Sequence, residues 1–174
     1  MLIWLTGLSG SGKTTLSNIL IKKFKKKKIN FISIDGDVIR ELYGNDLNHS
    51  LKHRMMQIER IKKISKFLYD QDQNIIVSAL YSNRKILSNN RKVFKNYFEI
   101  YLKAPIKILI KRDIKNLYDN ALKKKIKNVV GVDIEWQEPK NSDLIIDQTN
   151  KISPNKVADV VLTKFKNGRN KFKL

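Results

Sequence analysis

Cysteine is absent from the 174 residues, which excludes a disulfide framework, a thiolate nucleophile and a cysteine-based zinc site together. Histidine is scarce. There are two, His49 and His53, and no histidine–carboxylate set has metal-ligand spacing; His53 reads as a solvated polar-face residue. No apolar run approaches the roughly 20 residues of a membrane-spanning helix. The opening stretch Met1-Leu2-Ile3-Trp4-Leu5-Thr6 has no basic n-region and stops at Gly7, unlike a signal peptide. These absences point to the cytoplasm. Aromatics amount to 9% and are not interleaved with the basic residues, so no base-stacking platform is legible. Neither a guanine-reading Asn-Lys-x-Asp motif nor an internal repeat or linker occurs. Acidic residues are few as well, 16 against 36 basic ones, for a net charge of +20. A nucleic-acid-binding protein is the non-enzyme alternative that this charge suggests. With Lys, Asn and Ile enriched together, solvated lysine-rich faces account for it better, and neither nucleic acid nor membrane is expected as a partner. The field would still gather anionic nucleotides.

What is present reads as alternating strands and helices. Leu2 to Thr6 is apolar throughout, as buried parallel strands are. A helix with Leu16, Ile19, Leu20 and Phe24 on one face follows a glycine loop. Further strands are expected at Phe31 to Ile34, Asn74 to Ala79, Tyr97 to Leu102 and Leu144 to Ile146. Helices are expected from Ser50, a cap, to about Tyr69, at Arg84 to Phe94, at Ile106 to Lys111, and from Ser153-Pro154 to about Phe165. Asn167 to Leu174 reads as a frayed polar tail. The pattern implies one α/β domain over residues 1–174, with a parallel sheet covered on both faces. Ligands belong at the carboxyl ends of such strands. The Gly7 loop, Asp35-Gly36-Asp37 and Ser78 to Arg84 all lie there.

Gly7-Leu8-Ser9-Gly10-Ser11-Gly12-Lys13-Thr14-Thr15 matches the phosphate-loop pattern in its required context of strand before and helix after. Its backbone N–H groups would cradle the phosphates of ATP, Lys13 would reach the β/γ-phosphates, and the Thr14 hydroxyl would hold Mg²⁺. The loop alone does not separate a kinase from an ATPase or GTPase; a small kinase fits the short chain best. Asp35-Gly36-Asp37-x-x-Arg40 then supplies acceptor chemistry. One carboxylate orients the acceptor hydroxyl and takes its proton, while the other helps with Mg²⁺ or its waters. Arg40 suits an anionic acceptor.

These motifs, followed by Asp46-Leu47, Arg54, Arg112-Asp113-x-Lys115-x-Leu117-Tyr118, Ile126-Lys127, Gly131 and Glu138-Pro139, closely resemble the adenylyl-sulfate kinase family over nearly the whole chain. The resemblance implies a P-loop NTPase-type three-layer fold with a five-stranded parallel sheet, a lid at about 112–139, and a homodimer. It implies ATP-dependent phosphorylation of a ribose 3′-hydroxyl on a small nucleotide acceptor. Asp37 would be the base with Asp35 assisting, Arg112 would lie at the ATP, and Arg40 and Arg54 would grip the acceptor's anionic groups. Shikimate- or gluconate-type kinases share the loop but not the Asp35-Gly36-Asp37-x-x-Arg40 and Arg112-Asp113 combination.

Departures from the family cluster on the acceptor side. Where the family carries a phenylalanine that stacks on adenine, this chain has His49, in Asp46-Leu47-Asn48-His49-Ser50. Where the lid's second aromatic stands, it has Val129, in Lys127-Asn128-Val129-Val130-Gly131. An asparagine is replaced by Gln57. The stretch after Ser78 is Leu80-Tyr81-Ser82-Asn83-Arg84, so the serine at times assigned as a phosphorylated intermediate is Tyr81, or Ser82 after a one-residue shift. The expected acceptor-binding set is therefore Asp37, Arg40, His49, Arg54, Gln57, Ser78, Leu80, Lys127 and Val129. A stacking contact contributes about 1–3 kcal/mol per base, so a rebuilt clamp implies a changed base. A branch of the family phosphorylates cytidine diphosphoramidate for capsule modification, and a pyrimidine fits histidine, valine and Gln57. Adenylyl sulfate remains the alternative acceptor.

Overall fold

In a computed structural model, which describes residues 1–80, 83–112, 116–150 and 152–168, five parallel strands form one sheet. They are β1 (Leu2–Thr6), β2 (Ile32–Asp35), β3 (Ile75–Ala79), β4 (Tyr97–Lys103) and β5 (Leu144–Asp147), in the order β2-β3-β1-β4-β5. β1 sits centrally, with Trp4 opposite Val77 on one side and Glu99 on the other. Every β1 residue is buried, as a central strand sandwiched between two layers requires.

One layer holds α1 (Lys13–Lys25) and α7 (Pro154–Gly168), whose Leu16, Leu20, Val161 and Phe165 pack on Ile3, Leu5 and Ile76. The other layer holds α2 (Gly36–Leu42), α3 (Leu51–Tyr69) and α4 (Arg84–Val93), followed by α5 (Ile106–Arg112) and α6 (Leu117–Leu122). There Ile58, Ile61, Leu87 and Leu109 close over Trp4, Val77 and Ala79. The helices start where short polar side chains cap them: Asp35 accepts from the Asp37 N–H at 2.9 Å, and Asn83 accepts from Ile86 at 2.9 Å. The Ser50 cap is a long one, 3.4 Å to the His53 N–H.

Several element ends shift by a residue or more from the sequence expectation, and three differences stand out. β2 starts at Ile32 instead of Phe31, whose ring leaves the ladder to lie on Phe24 with centroids 4.6 Å apart. Gly36–Leu42 is a helix that local pattern did not reveal. The stretch 112–139 contains α6 and a tight turn at 128–134, in which the Gly131 N–H donates to the Ile134 carbonyl at 2.7 Å. Tyr81, Ser82, Asp113, Lys115 and the tail from 169 onward lie outside the described residues. No helix among the described residues is long and apolar enough to cross a membrane.

Candidate active site

The loop after β1 curls because its glycines adopt backbone angles closed to other residues. Gly7 has φ 151°, and a Cβ there would sit 2.6 Å from the Leu102 carbonyl oxygen. Gly12 leads into α1, so the N–H groups of that helix's first turn open toward the loop. Lys13 folds back along the loop and donates to the carbonyls of Gly7 and Leu8, both at 2.9 Å. Burial lowers its pKa to about 8, against the raising influence of Asp35 and Asp37. The Thr14 hydroxyl donates to Asp35 Oδ2 at 2.7 Å. Lys13, Thr14, Asp35 and Asp37 thus converge at the carboxyl ends of β1 and β2.

Beside them lies a cavity of about 740 Å³. Asp37, Arg40, Gln57 and Leu80 line it, together with Ser9 of the phosphate loop. His49, Arg54, Lys127 and Val129 line it as well. Eight of the nine expected acceptor residues therefore surround one space. Ser78 does not. Strand alternation puts it on the face of Ile76, toward α1, while Val77 and Ala79 face the cavity layer.

Several cavity side chains also hold the walls. Arg40 is buried and donates to the Leu47 carbonyl at 2.7 Å. Arg54 Nε donates to the His49 carbonyl at 2.9 Å and Nη2 to the Asn128 carbonyl at 2.7 Å. Gln57 is 4% exposed, and its amide is committed to the protein: Nε2 donates to the Gly36 carbonyl at 3.0 Å, and Oε1 accepts from Arg60 at 3.3 Å. It supports the start of α2 beneath Asp37. Asp46 pairs with Arg60 through two hydrogen bonds of 3.0 and 2.7 Å, which pins the loop carrying His49. Partial burial, then the positive charges of Arg54 and Arg40, lower the His49 pKa and favour its neutral imidazole.

Arg112 lies elsewhere. It ends α5 and donates to Gln148 Oε1 at 3.3 Å just beyond β5, on the opposite flank of the phosphate loop from the cavity. A donor nucleotide and an acceptor would in this way approach the loop from two sides. Trp136 packs within the fold, its Nε1 3.3 Å from the Tyr101 hydroxyl.

Some features escaped sequence reasoning. Tyr118 is buried and donates its hydroxyl to the Ser9 carbonyl at 2.9 Å, tying α6 to the phosphate loop. Glu41 and Asn45 also line the cavity. Asp133 accepts from the Asn128 and Val129 N–H groups at 2.6 and 2.5 Å; an aspartate beside a glycine turn is the one local sign of it. Among the described residues no cluster of His, Cys, Asp or Glu could hold a metal alone. The hard oxygens of Thr14 and Asp35, 2.7 Å apart, do suit Mg²⁺ arriving with nucleotide phosphates.

Comparison with known proteins identifies the family and the fold. The model of the adenylylsulphate kinase family matches residues 1–147. The chain is 45% identical to the cytidine diphosphoramidate kinase of Campylobacter jejuni over 148 residues, 85% of this chain and 86% of that one. It is 34% identical to a probable adenylyl-sulfate kinase of Pyrococcus abyssi, covering 94% of each. Among solved structures, the Mycobacterium tuberculosis APS kinase CysC in complex with AMPPNP and APS superposes with a TM-score of 0.86 at 29% identity, over 95% of this chain and 96% of that one.

Proposed function

The chain belongs to the adenylylsulphate kinase family, and from that premise we propose that it transfers the γ-phosphate of ATP to the ribose 3′-hydroxyl of cytidine diphosphoramidate. One observation carries the choice of acceptor. The two positions that clamp an adenine in the family, here His49 and Val129, face one cavity with neither carrying the family's phenylalanine. A six-membered pyrimidine offers less stacking area, and a neutral imidazole with a valine suits it. The 45% identity to a cytidine diphosphoramidate kinase supports the same acceptor.

The roles follow from placement. The N–H groups at the start of α1 and the Lys13 ammonium bind the donor's phosphates. Two of the three ammonium protons already point at loop carbonyls, so the cation is held in the loop before a phosphate arrives. Asp37, exposed at the cavity edge beside the loop, takes the proton of the 3′-hydroxyl as that oxygen attacks. Asp35 orients the Asp37 N–H and, with Thr14, would hold Mg²⁺ partly through water. When bound, Mg²⁺ would neutralise charge on the β- and γ-phosphate oxygens. Arg40 and Arg54 face the acceptor's diphosphate-like tail. Arg112 borders the donor nucleotide on the β5 flank. One domain with a lid over 112–139, acting as a homodimer in the cytoplasm, completes the proposal; light scattering checks the assembly.

Adenylyl sulfate is the second acceptor to test, favoured by the family match and the 34% identity to the Pyrococcus abyssi protein. The deciding experiment is steady-state ADP release with MgATP, comparing cytidine diphosphoramidate, plain CDP and adenylyl sulfate at equal concentrations. A kcat/KM higher for cytidine diphosphoramidate upholds the proposal. Dominance of adenylyl sulfate by orders of magnitude makes the protein a sulfate-activation enzyme.

A further inference from the structure

The peptide unit between Asn128 and Val129 is held at both ends by opposite charges. Its carbonyl accepts from Arg54 Nη2 at 2.7 Å, and its N–H donates to Asp133 Oδ1 at 2.5 Å. Asp133 Oδ2 accepts the preceding N–H, that of Asn128, at 2.6 Å. Asn128 has φ 67°, a left-handed angle that costs free energy outside glycine and persists only where surroundings enforce it. The Val129 carbonyl in turn accepts from Val132, Asp133 and Ile134 at 3.0 to 3.2 Å, closing a compact turn. Asp133 itself is exposed, yet its pKa lies below the usual carboxylate value. Burial would raise it, but the N–H groups of Asn128 and Val129, together with Arg54, outweigh that.

Arg54 reaches the other wall as well. Its Nε donates to the His49 carbonyl at 2.9 Å. One guanidinium on α3 therefore holds the main chain at both His49 and Val129, which line the same cavity. A guanidinium is planar and rigid, so the separation of its two hydrogen-bonded carbonyls is restricted. Asp133 fixes the orientation of the peptide that Arg54 grasps, and with it the direction of Val129 and the neighbouring Lys127.

We propose that Asp133 is a positioning residue for the acceptor: with Arg54 it clasps the Asn128–Val129 peptide and thereby sets the width of the slot between His49 and Val129. The proposal rests on the cavity being the acceptor site. It makes slot width, as well as the identity of the wall side chains, a determinant of which base is accepted. Asp133 does not line the cavity and acts through the backbone.

The test compares wild type with Asp133→Ala, Asp133→Asn and Arg54→Lys in the full chain. Backbone amide exchange needs no acceptor. In Asp133→Ala the amides of Asn128 and Val129 should exchange about tenfold faster or more, with the sheet's protection unchanged. With whichever of cytidine diphosphoramidate or adenylyl sulfate the wild type phosphorylates, the acceptor KM should rise about tenfold, the scale of one charge-assisted hydrogen bond, while the KM for ATP and Tm hold. Asp133→Asn keeps one acceptor oxygen and should fall between the two. Arg54→Lys combined with Asp133→Ala should be non-additive in acceptor KM, because both act on one peptide. An acceptor KM unmoved in Asp133→Ala, or a rise shared equally by ATP and accompanied by a lower Tm, overturns the proposal. If wild type phosphorylates neither compound, the acceptor assignment fails separately, and unchanged exchange at Asn128 and Val129 then refutes the clasp by itself.

Discussion

The Thr14 hydroxyl donates to Asp35 Oδ2 across 2.7 Å, so the first turn of α1 and the end of β2 meet before any substrate is considered. Asp35 meanwhile spends Oδ1 on the Asp37 N–H at 2.9 Å. One carboxylate therefore faces the proposed metal position and also sets the backbone of the proposed base.

Separate roles for the two aspartates predict separable kinetics. Asp37→Asn should lower kcat by about 10²- to 10⁴-fold, the usual contribution of a general base, with little change in the KM for ATP. Asp35→Asn keeps an oxygen for the α2 cap, so the helix should survive. Its defect should appear as a higher Mg²⁺ concentration for half-maximal rate. Titration of rate against Mg²⁺ for both variants separates them; an Asp37→Asn enzyme with wild-type kcat removes Asp37 as the base.

Lys13 predicts a pH dependence. Burial holds its pKa at about 8, below the ordinary lysine value, so in the free enzyme the ammonium is present below that pH and is lost above it. Accordingly kcat/KM for ATP should fall along an alkaline limb near pH 8. Bound phosphates favour the charged form, so kcat should stay level to higher pH. Asp35 raises the Lys13 pKa, and Asp35→Asn should move the limb downward. A level kcat/KM through this range would mean that Lys13 remains charged in the free enzyme.

Gly131 predicts a stability change that reaches the phosphate loop. It has φ 91°, and an added Cβ would lie 3.2 Å from both Leu8 Cδ2 and Ile106 Cδ1. Gly131→Ala should cost about 1–3 kcal/mol from backbone strain and crowding. Since Leu8 belongs to the phosphate loop, the KM for ATP should rise along with the loss of Tm. Thermal denaturation and ATP kinetics check both.

The phosphate loop and the strand order of chemistry along the chain were legible because their signals are local: glycine spacing, apolar runs and short polar caps. The meeting of Asp37 and Arg40 beside the phosphate loop followed from strand ends sharing one side of a parallel sheet, whereas Arg54 and Lys127 were expected there only through the family resemblance. Ser78 was misplaced because the strand end was legible but its alternation parity was not. α2 went unrecognised because Gly36–Leu42 opens on Gly36-Asp37, which reads as a turn after β2. Tyr118 meets Ser9 across 109 residues, and Arg54 meets Asn128 across 74; neither separation leaves a local trace. Gln57 shows the converse limit. Its place on the cavity was expected from the family resemblance, but its commitment to Gly36 and Arg60 depends on tertiary packing.

The wall residues yield the most direct test of acceptor choice. His49→Phe alone should restore one stacking surface, and His49→Phe with Val129→Phe should restore two. Each aromatic contact contributes about 1–3 kcal/mol to holding a base, so adenylyl sulfate should gain roughly 5- to 150-fold in kcat/KM per restored wall. Val129 is 4% exposed, and a phenylalanine there must turn into the 740 Å³ cavity, where it narrows the slot. A purine ring presents a flat face large enough to lie against both aromatics. A cytosine engages less of them and loses the neutral imidazole of His49. Cytidine diphosphoramidate should accordingly lose kcat/KM in the double variant while adenylyl sulfate gains. The ratio of the two kcat/KM values is the quantity to measure, because changes in folding or ATP binding cancel from it. A ratio that does not move would place base selection outside His49 and Val129, with Glu41 and Asn45 the next cavity residues to exchange.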